Sequence, residues 1–239
     1  MVTKSLINQI QNLKKKKFRQ RSSLFVAEGE KIVNELVEEN FSFSFLFTTE
    51  NNSILPASVI LKNEMQKLTH LKNASNYLGV FNRPQYKNTN SNKSNTTIVL
   101  DSISDPGNFG TILRTCDWYG IKDIFCSKNS VDCFNPKVVQ SSMGSISRVR
   151  CHYLELPLFL KSSKLNIYGA HLKGSSIYDL NFKTKSIFVF GNESNGISSE
   201  VNKTIDTLIT IPKNNLKIDS LNVASSVAVI LGERFRQIS

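Results

Sequence analysis

Apolar residues recur at helical spacing near the start of the chain, with Leu6, Ile10 and Leu13 on one stripe and Ile7 beside it. That period predicts an amphipathic helix laid against a core. A strand is expected at Leu24–Ala27, then a helix over Lys31–Glu39 with Ile32, Val33, Leu36 and Val37 facing inward. Phe41-Ser-Phe-Ser-Phe-Leu-Phe47 alternates with period two, which would set four phenylalanines on one face of a strand. A short helix near Met65–Thr69 and a strand at Tyr77–Phe81 complete a small mixed α/β unit.

Beyond residue 97 the pattern becomes a regular alternation. Strands are expected at Ile98–Leu100, Asp123–Cys126, Ile167–Ala170, Ile187–Phe190 and Thr207–Ile211. Helices are expected around Phe109–Tyr119, from Pro136, near Ser198, and from about Asn222 to Arg236, with an irregular stretch before Ile167. Such alternation predicts a mostly parallel sheet covered on both faces. Between the two patterns, residues 84–97 are polar, rich in Asn and Ser, and without periodicity. This is linker composition. The expected organisation is a first domain over 1–85, a linker over 86–96 and a second domain over 97–239.

The 239 residues carry Lys+Arg 30 against Asp+Glu 19, a net charge of +11. An excess of that size favours a polyanionic partner, because each neutralised phosphate releases condensed counterions. It is concentrated at Lys14, Lys15, Lys16, Lys17, Arg19 and Arg21, six charges in eight residues. The run reads either as a solvated face or as a phosphate grip. Cys116, Cys126, Cys133 and Cys151 are 10, 7 and 18 residues apart, without metal-ligand spacing, so free thiols in a reducing cytoplasm are expected. No apolar run approaches the ~18 residues of a membrane span. His70, His152 and His171 are isolated, which argues against histidine acid–base chemistry.

Three polar segments stand where strands should end. In Asp105-Pro-Gly-Asn-Phe-Gly-Thr-Ile-Leu-Arg114, Pro106-Gly107 breaks the chain and Asn108 can cap the following helix. Arg114 lies between the buried stripe and the loop mouth, either solvated or placed to hold a phosphate. Phe190-Gly-Asn-Glu-Ser-Asn-Gly196 ends a buried strand in a loop with glycine at both ends, either a plain turn or a close approach to a ligand. Ile211-Pro212 and then Ser220-Leu-Asn-Val223 lead into a helix of small residues that Ser220 or Asn222 can cap. The same small residues suit a helix–helix or dimer seam. A dinucleotide-binding strand turn is excluded, because no G-x-G-x-x-G follows the first strand.

Taken in order, the three segments resemble the motifs of the SpoU/TrmH family of RNA ribose 2′-O-methyltransferases, in the knotted SPOUT superfamily. The resemblance covers residues 96–239 and includes the small-residue stretch Ser141-Ser-Met-Gly-Ser145. Residues 1–85, with Phe25-Val-Ala-Glu-Gly-Glu-Lys31, are similar to the substrate-binding domain of rRNA-directed members. The resemblance implies an α/β fold with a small N-terminal RNA-binding domain and a C-terminal, mostly parallel sheet tied in a deep trefoil knot. It also implies a homodimer using S-adenosylmethionine. Asn108, Arg114, Glu193, Ser220 and Asn222 would form the catalytic cluster, with Gly191, Ile211 and Leu221 at the cofactor. Lys14, Lys15, Lys16, Lys17 and Arg19 would grip RNA. Ala224 departs from the pattern, since many members carry serine there.

The implied reaction moves a methyl group to a ribose 2′-hydroxyl, in 23S rRNA in preference to tRNA. The family assigns deprotonation to the arginine matched by Arg114. Its ordinary pKa lies above ~12, so either a phosphate relays the proton or Arg114 stabilises the developing alkoxide. A non-catalytic RNA-binding assembly factor is the alternative, and it leaves the three loops without a purpose.

Overall fold

The computed structural model describes residues 2–86, 95–215 and 217–238; residues 87–94, inside the expected linker, lie outside the described residues. The chain opens with α1 (Lys4–Asn12), α2 (Lys16–Ser22), β1 (Leu24–Glu28), α3 (Glu30–Glu38), β2 (Phe43–Thr48), β3 (Ser58–Val59), α4 (Lys62–Leu68) and β4 (Tyr77–Asn82). It continues through β5 (Thr96–Leu100), α5 (Pro106–Trp118), β6 (Asp123–Ser127), α6 (Pro136–Ser142), β7 (Arg150–Leu154) and α7 (Leu156–Lys161). It closes with β8 (Asn166–Ser176), β9 (Ser186–Phe190), α8 (Ser199–Asn202), β10 (Thr207–Thr210) and α9 (Val223–Arg236). Two compact units result, Met1–Gln85 with Asp132–Arg148, and Tyr86–Val131 with Val149–Ser239. The first unit thus takes in α6, which the sequence places beyond the linker.

In the first unit the sheet order is β1-β4-β2-β3, antiparallel except for the β2–β3 pair. One face buries Leu24, Val26, Phe47, Leu78 and Val80 against Ile10 and Leu13 from the start of the chain and Met65 and Leu68 of α4. Successive strand residues face opposite ways, so Phe25 and Phe81 occupy the other face, where the Phe134 ring packs tilted against Phe25 with centroids 4.6 Å apart. The expected row of four phenylalanines is corrected here. A register shift between Phe43 and Phe45 reverses the parity of β2. Phe41 and Phe43 join the Phe25–Phe81 face, whereas Phe45 and Phe47 stack on the opposite one.

In the second unit six strands lie parallel in the order β10-β8-β9-β5-β6-β7. Central β5 and β9 are buried at every residue, as their unbroken apolar runs require of strands covered on both faces. The expected mostly parallel sheet beside a small mixed α/β unit is therefore present. Part of the stretch expected to be irregular is instead the edge strand β7. Its Arg-Cys-His-Tyr-Leu sequence reads as polar, but Asp123 on β6 accepts from Arg150 at 2.5 Å and from His152 at 2.7 Å, which gives both side chains a charged partner. Parallel strands present their C-terminal ends together, so the loops after β5, β9 and β10 open on one edge of the sheet.

Candidate active site

Helix α5 starts with Pro106, and Asp105 is its cap, its Oδ1 accepting from the Asn108 main-chain N–H at 2.7 Å. The cap expected of Asn108 is thereby corrected: a residue inside the first turn has its side chain free for other partners. Asn108 Nδ2 donates to Glu193 Oε1 at 2.9 Å, and Asn108 Oδ1 accepts from Asn222 Nδ2 at 2.9 Å. Asn222 in turn caps α9, its Oδ1 accepting from Ala224 N at 2.9 Å and Ser225 N at 3.2 Å. The donors and acceptors fix every orientation. A carboxylate and a helix N-terminus demand opposite ends of an amide, so neither asparagine can flip without breaking two bonds. One hydrogen-bonded chain, Glu193–Asn108–Asn222, therefore ties the three motif segments together.

The loop that carries Glu193 is built by Asn192, which the motif reading passed over. Its Oδ1 accepts from Ser194 N at 3.0 Å and Asn195 N at 3.1 Å, while Nδ2 donates to Ser102 O at 2.8 Å. An asparagine two residues before a polar loop residue is the signal for such a turn. Gly196 takes φ 67°, and a Cβ on Gly191 would stand 2.2 Å from the Gly196 carbonyl carbon, so the loop closes on itself only with glycine at both ends. Asp101 pins the far side, accepting from Ser198 N at 2.8 Å.

The remaining expected site residues fall into two groups. Gly191, Ile211 and Leu221 leave their main-chain polar groups without hydrogen bonds to other described residues, and Leu221 and Ser220 are exposed. Open main-chain donors and acceptors of this kind suit polar contact with a ligand. Arg114 does not join the amide chain. Six residues of helix turn it ~240° away from Asn108. It stands exposed with Thr111 and Trp118 and pairs with no described residue. No group of three or more His, Cys, Asp or Glu able to hold a metal occurs among the described residues.

In the first unit Lys14, Lys15, Lys16 and Lys17 are exposed at the joint between α1 and α2, with Lys15 Nζ 5.8 Å from the Phe18 ring centre. Arg19, expected beside them on RNA, is corrected: it is 1% exposed. Its Nε donates to Asp132 Oδ2 at 2.8 Å, and its Nη1 donates to the carbonyls of Leu13 and Lys14, each at 2.8 Å. The helical period of α2 turns this one cation inward, where it holds the fold and is closed to a phosphate. No described helix is long and apolar enough to cross a membrane.

The model of the SpoU rRNA methylase family matches residues 95–232, and that of an MRM3-like substrate-binding domain matches residues 4–80. A solved structure from Porphyromonas gingivalis, assigned to the TrmH family of RNA methyltransferases, is 32% identical with TM-score 0.85, covering 98% of each chain. The SpoU methyltransferase AviRb of Streptomyces viridochromogenes, solved with AdoMet, shares the fold at TM-score 0.87 and 21% identity over 99% of this chain and 98% of its own. The 23S rRNA (guanosine(2553)-2′-O)-methyltransferase RlmP of Bacillus subtilis is 24% identical over 90% of each chain.

Proposed function

The chain belongs to the SpoU rRNA methylase family, and from that premise we propose that it methylates a ribose 2′-hydroxyl of ribosomal RNA in the cytoplasm as a homodimer. The observation that carries the reading is the Glu193–Asn108–Asn222 chain, which converges three distant polar segments on one edge of the sheet. S-adenosylmethionine supplies the methyl group on its sulfonium. The ribose hydroxyl that would receive this methyl group must lose its proton.

Asn108 and Asn222 lock the three loops in one register, so that the rim formed by Gly191, Ile211 and Leu221 keeps its shape. Ser220, exposed on that rim, is free to meet the ribose. Arg114 serves the site of a second protomer, since its own helix turns it away from Asn108. There it holds the phosphate beside the target ribose, and that phosphate takes the hydroxyl proton. Two features support the dimer. Trp118 is 85% exposed on the same face of α5 as Arg114, and α9, packed beside α5, offers Ser225 and Ala228 to solvent. Tryptophan is enriched at protein interfaces, where an indole serves as an anchor. The four cysteines are free and buried, which suits a reducing compartment. Lys14–Lys17 grip RNA phosphates.

Mass-spectrometric mapping of 2′-O-methyl groups in rRNA and tRNA, from cells with and without the gene, tests the reading. One rRNA position should lose its methyl group and regain it with the native gene. Arg114→Ala should lower that methylation about 10²–10³-fold while S-adenosylmethionine affinity by calorimetry is unchanged. Parental methylation by Arg114→Ala would sink its catalytic role.

A further inference from the structure

Two motifs of the sequence have no part in the chemistry above, Phe25-Val-Ala-Glu-Gly-Glu-Lys31 and Ser141-Ser-Met-Gly-Ser145. They meet in the first unit, at a cleft of about 240 Å³ lined by Val26, Glu28, His70, Leu71, Gln140 and neighbouring residues of α6. Clefts that enclose a drug-sized ligand run to ~300–1,000 Å³, so this one suits a smaller, flat group. Val26, Leu71 and Pro136 supply apolar walls, and the polar edge comes from Glu28 and Gln140.

The polar edge is selective. Glu28 is 4% exposed and held in place, its Oε1 accepting from His70 N at 2.7 Å and its Oε2 from the Thr69 hydroxyl. A carboxylate has about four lone-pair sites, so each oxygen keeps one for a further donor. The Gln140 side chain bonds to no described residue and offers donor and acceptor side by side. A phosphate in the cleft would meet the Glu28 carboxylate, whereas a base edge bearing N–H groups would satisfy it. A metal would find too few ligands, because no group of three or more His, Cys, Asp or Glu able to hold one occurs among the described residues. The surroundings are basic: Lys137 lines the cleft, and Lys14 lies close enough to act electrostatically on both Glu28 and His70.

We propose that this cleft receives one unpaired nucleobase of the RNA, guanine by its adjacent N1–H and N2–H donors, with Lys14–Lys17 and Lys137 on the flanking phosphates. The inference rests on the RNA-directed reading above and deepens it. Splayed bases gripped by apolar walls and read along one edge are how single-stranded RNA is recognised.

Fluorescence anisotropy of the full-length protein with labelled ribo-octamers provides the test. An octamer of uridines with one central guanosine should bind at least about fivefold tighter than the all-uridine octamer, the lower end of one base-edge contact. Gln140→Leu should abolish that preference yet bind both octamers, and Glu28→Gln should do the same if its thermal melt is intact. Guanosine 5′-monophosphate should bind far more weakly, lacking the flanking phosphates. The proposal falls if no guanosine preference exists or if the preference survives Gln140→Leu. It also falls if guanosine 5′-monophosphate binds as tightly as the octamer, since the cleft would then serve a free nucleotide. Failure of every octamer to bind would instead overturn the RNA-directed reading itself, with S-adenosylmethionine calorimetry showing whether the protein is folded.

Discussion

An amide side chain carries donors at one end and an acceptor at the other, and Asn108 commits both ends to residues far away in sequence. Replacing it with alanine strands the Glu193 carboxylate and the Asn222 amide at a half-open site, so the expected stability cost is only about 1 kcal/mol. Methyl transfer should suffer more, by at least about tenfold, because the loops lose their common register. A single-turnover assay beside a thermal melt separates the two effects, and unchanged turnover would remove Asn108 from the machinery. His70 sets a pH dependence. Burial pushes its imidazole down to about 4 from an ordinary 6.5, with Lys14 and Arg19 acting in the same direction and the hydrogen bond to Ile10 opposing. Between those values the unfolded chain binds a proton that the folded one refuses, so stability falls as pH drops from 6.5 towards 4. His70→Gln should flatten that slope in denaturant melts taken across the interval.

At the scale of elements, α6 shows how a segment far along the chain completes a core. In the segment leading into it, Phe134 packs tilted against Phe25, and Asp132 takes the Arg19 guanidinium at 2.8 Å with both side chains almost wholly buried. Removing one member of such a pair leaves an uncompensated charge inside the protein. Asp132→Ala should therefore cost about 3–5 kcal/mol, whereas the apolar double replacement Arg19→Met with Asp132→Leu should cost far less. Urea melts of the three proteins decide this, and equal loss in single and double variants would refute it. The basic run was readable in advance, but neither α2 nor the partner that draws Arg19 inward, 113 residues away, was. For the same reason β2 misled. Alternation of phenylalanines is a property of the strand, whereas the register shift at Phe43 is decided by the pairing with β4.

For the whole molecule, the open question of assembly turns on Arg114 and Trp118, which share one exposed face of α5. Trp118→Glu should yield monomers in sedimentation and lose methylation while keeping its thermal stability, since little of the indole is buried within the protomer. Mixing Arg114→Ala with Asn108→Ala protein should restore activity if each site borrows its arginine from the partner, and no recovery would place the arginine in its own protomer's site. The strand–helix alternation, the Asn222 cap and the motif segments were legible because they depend on neighbours a few residues apart. At α5 the cap is Asp105 and not the Asn108 that the sequence suggested. Hydrogen bonds that span long separations carry no local signature. Folding alone could decide that Asn108 bridges Glu193 and Asn222, that Arg19 is interior, and that residues 132–148 complete the first unit. The residue types were present in the chain, but which of them meet is a matter of how the sheets pair and where the buried charges find partners.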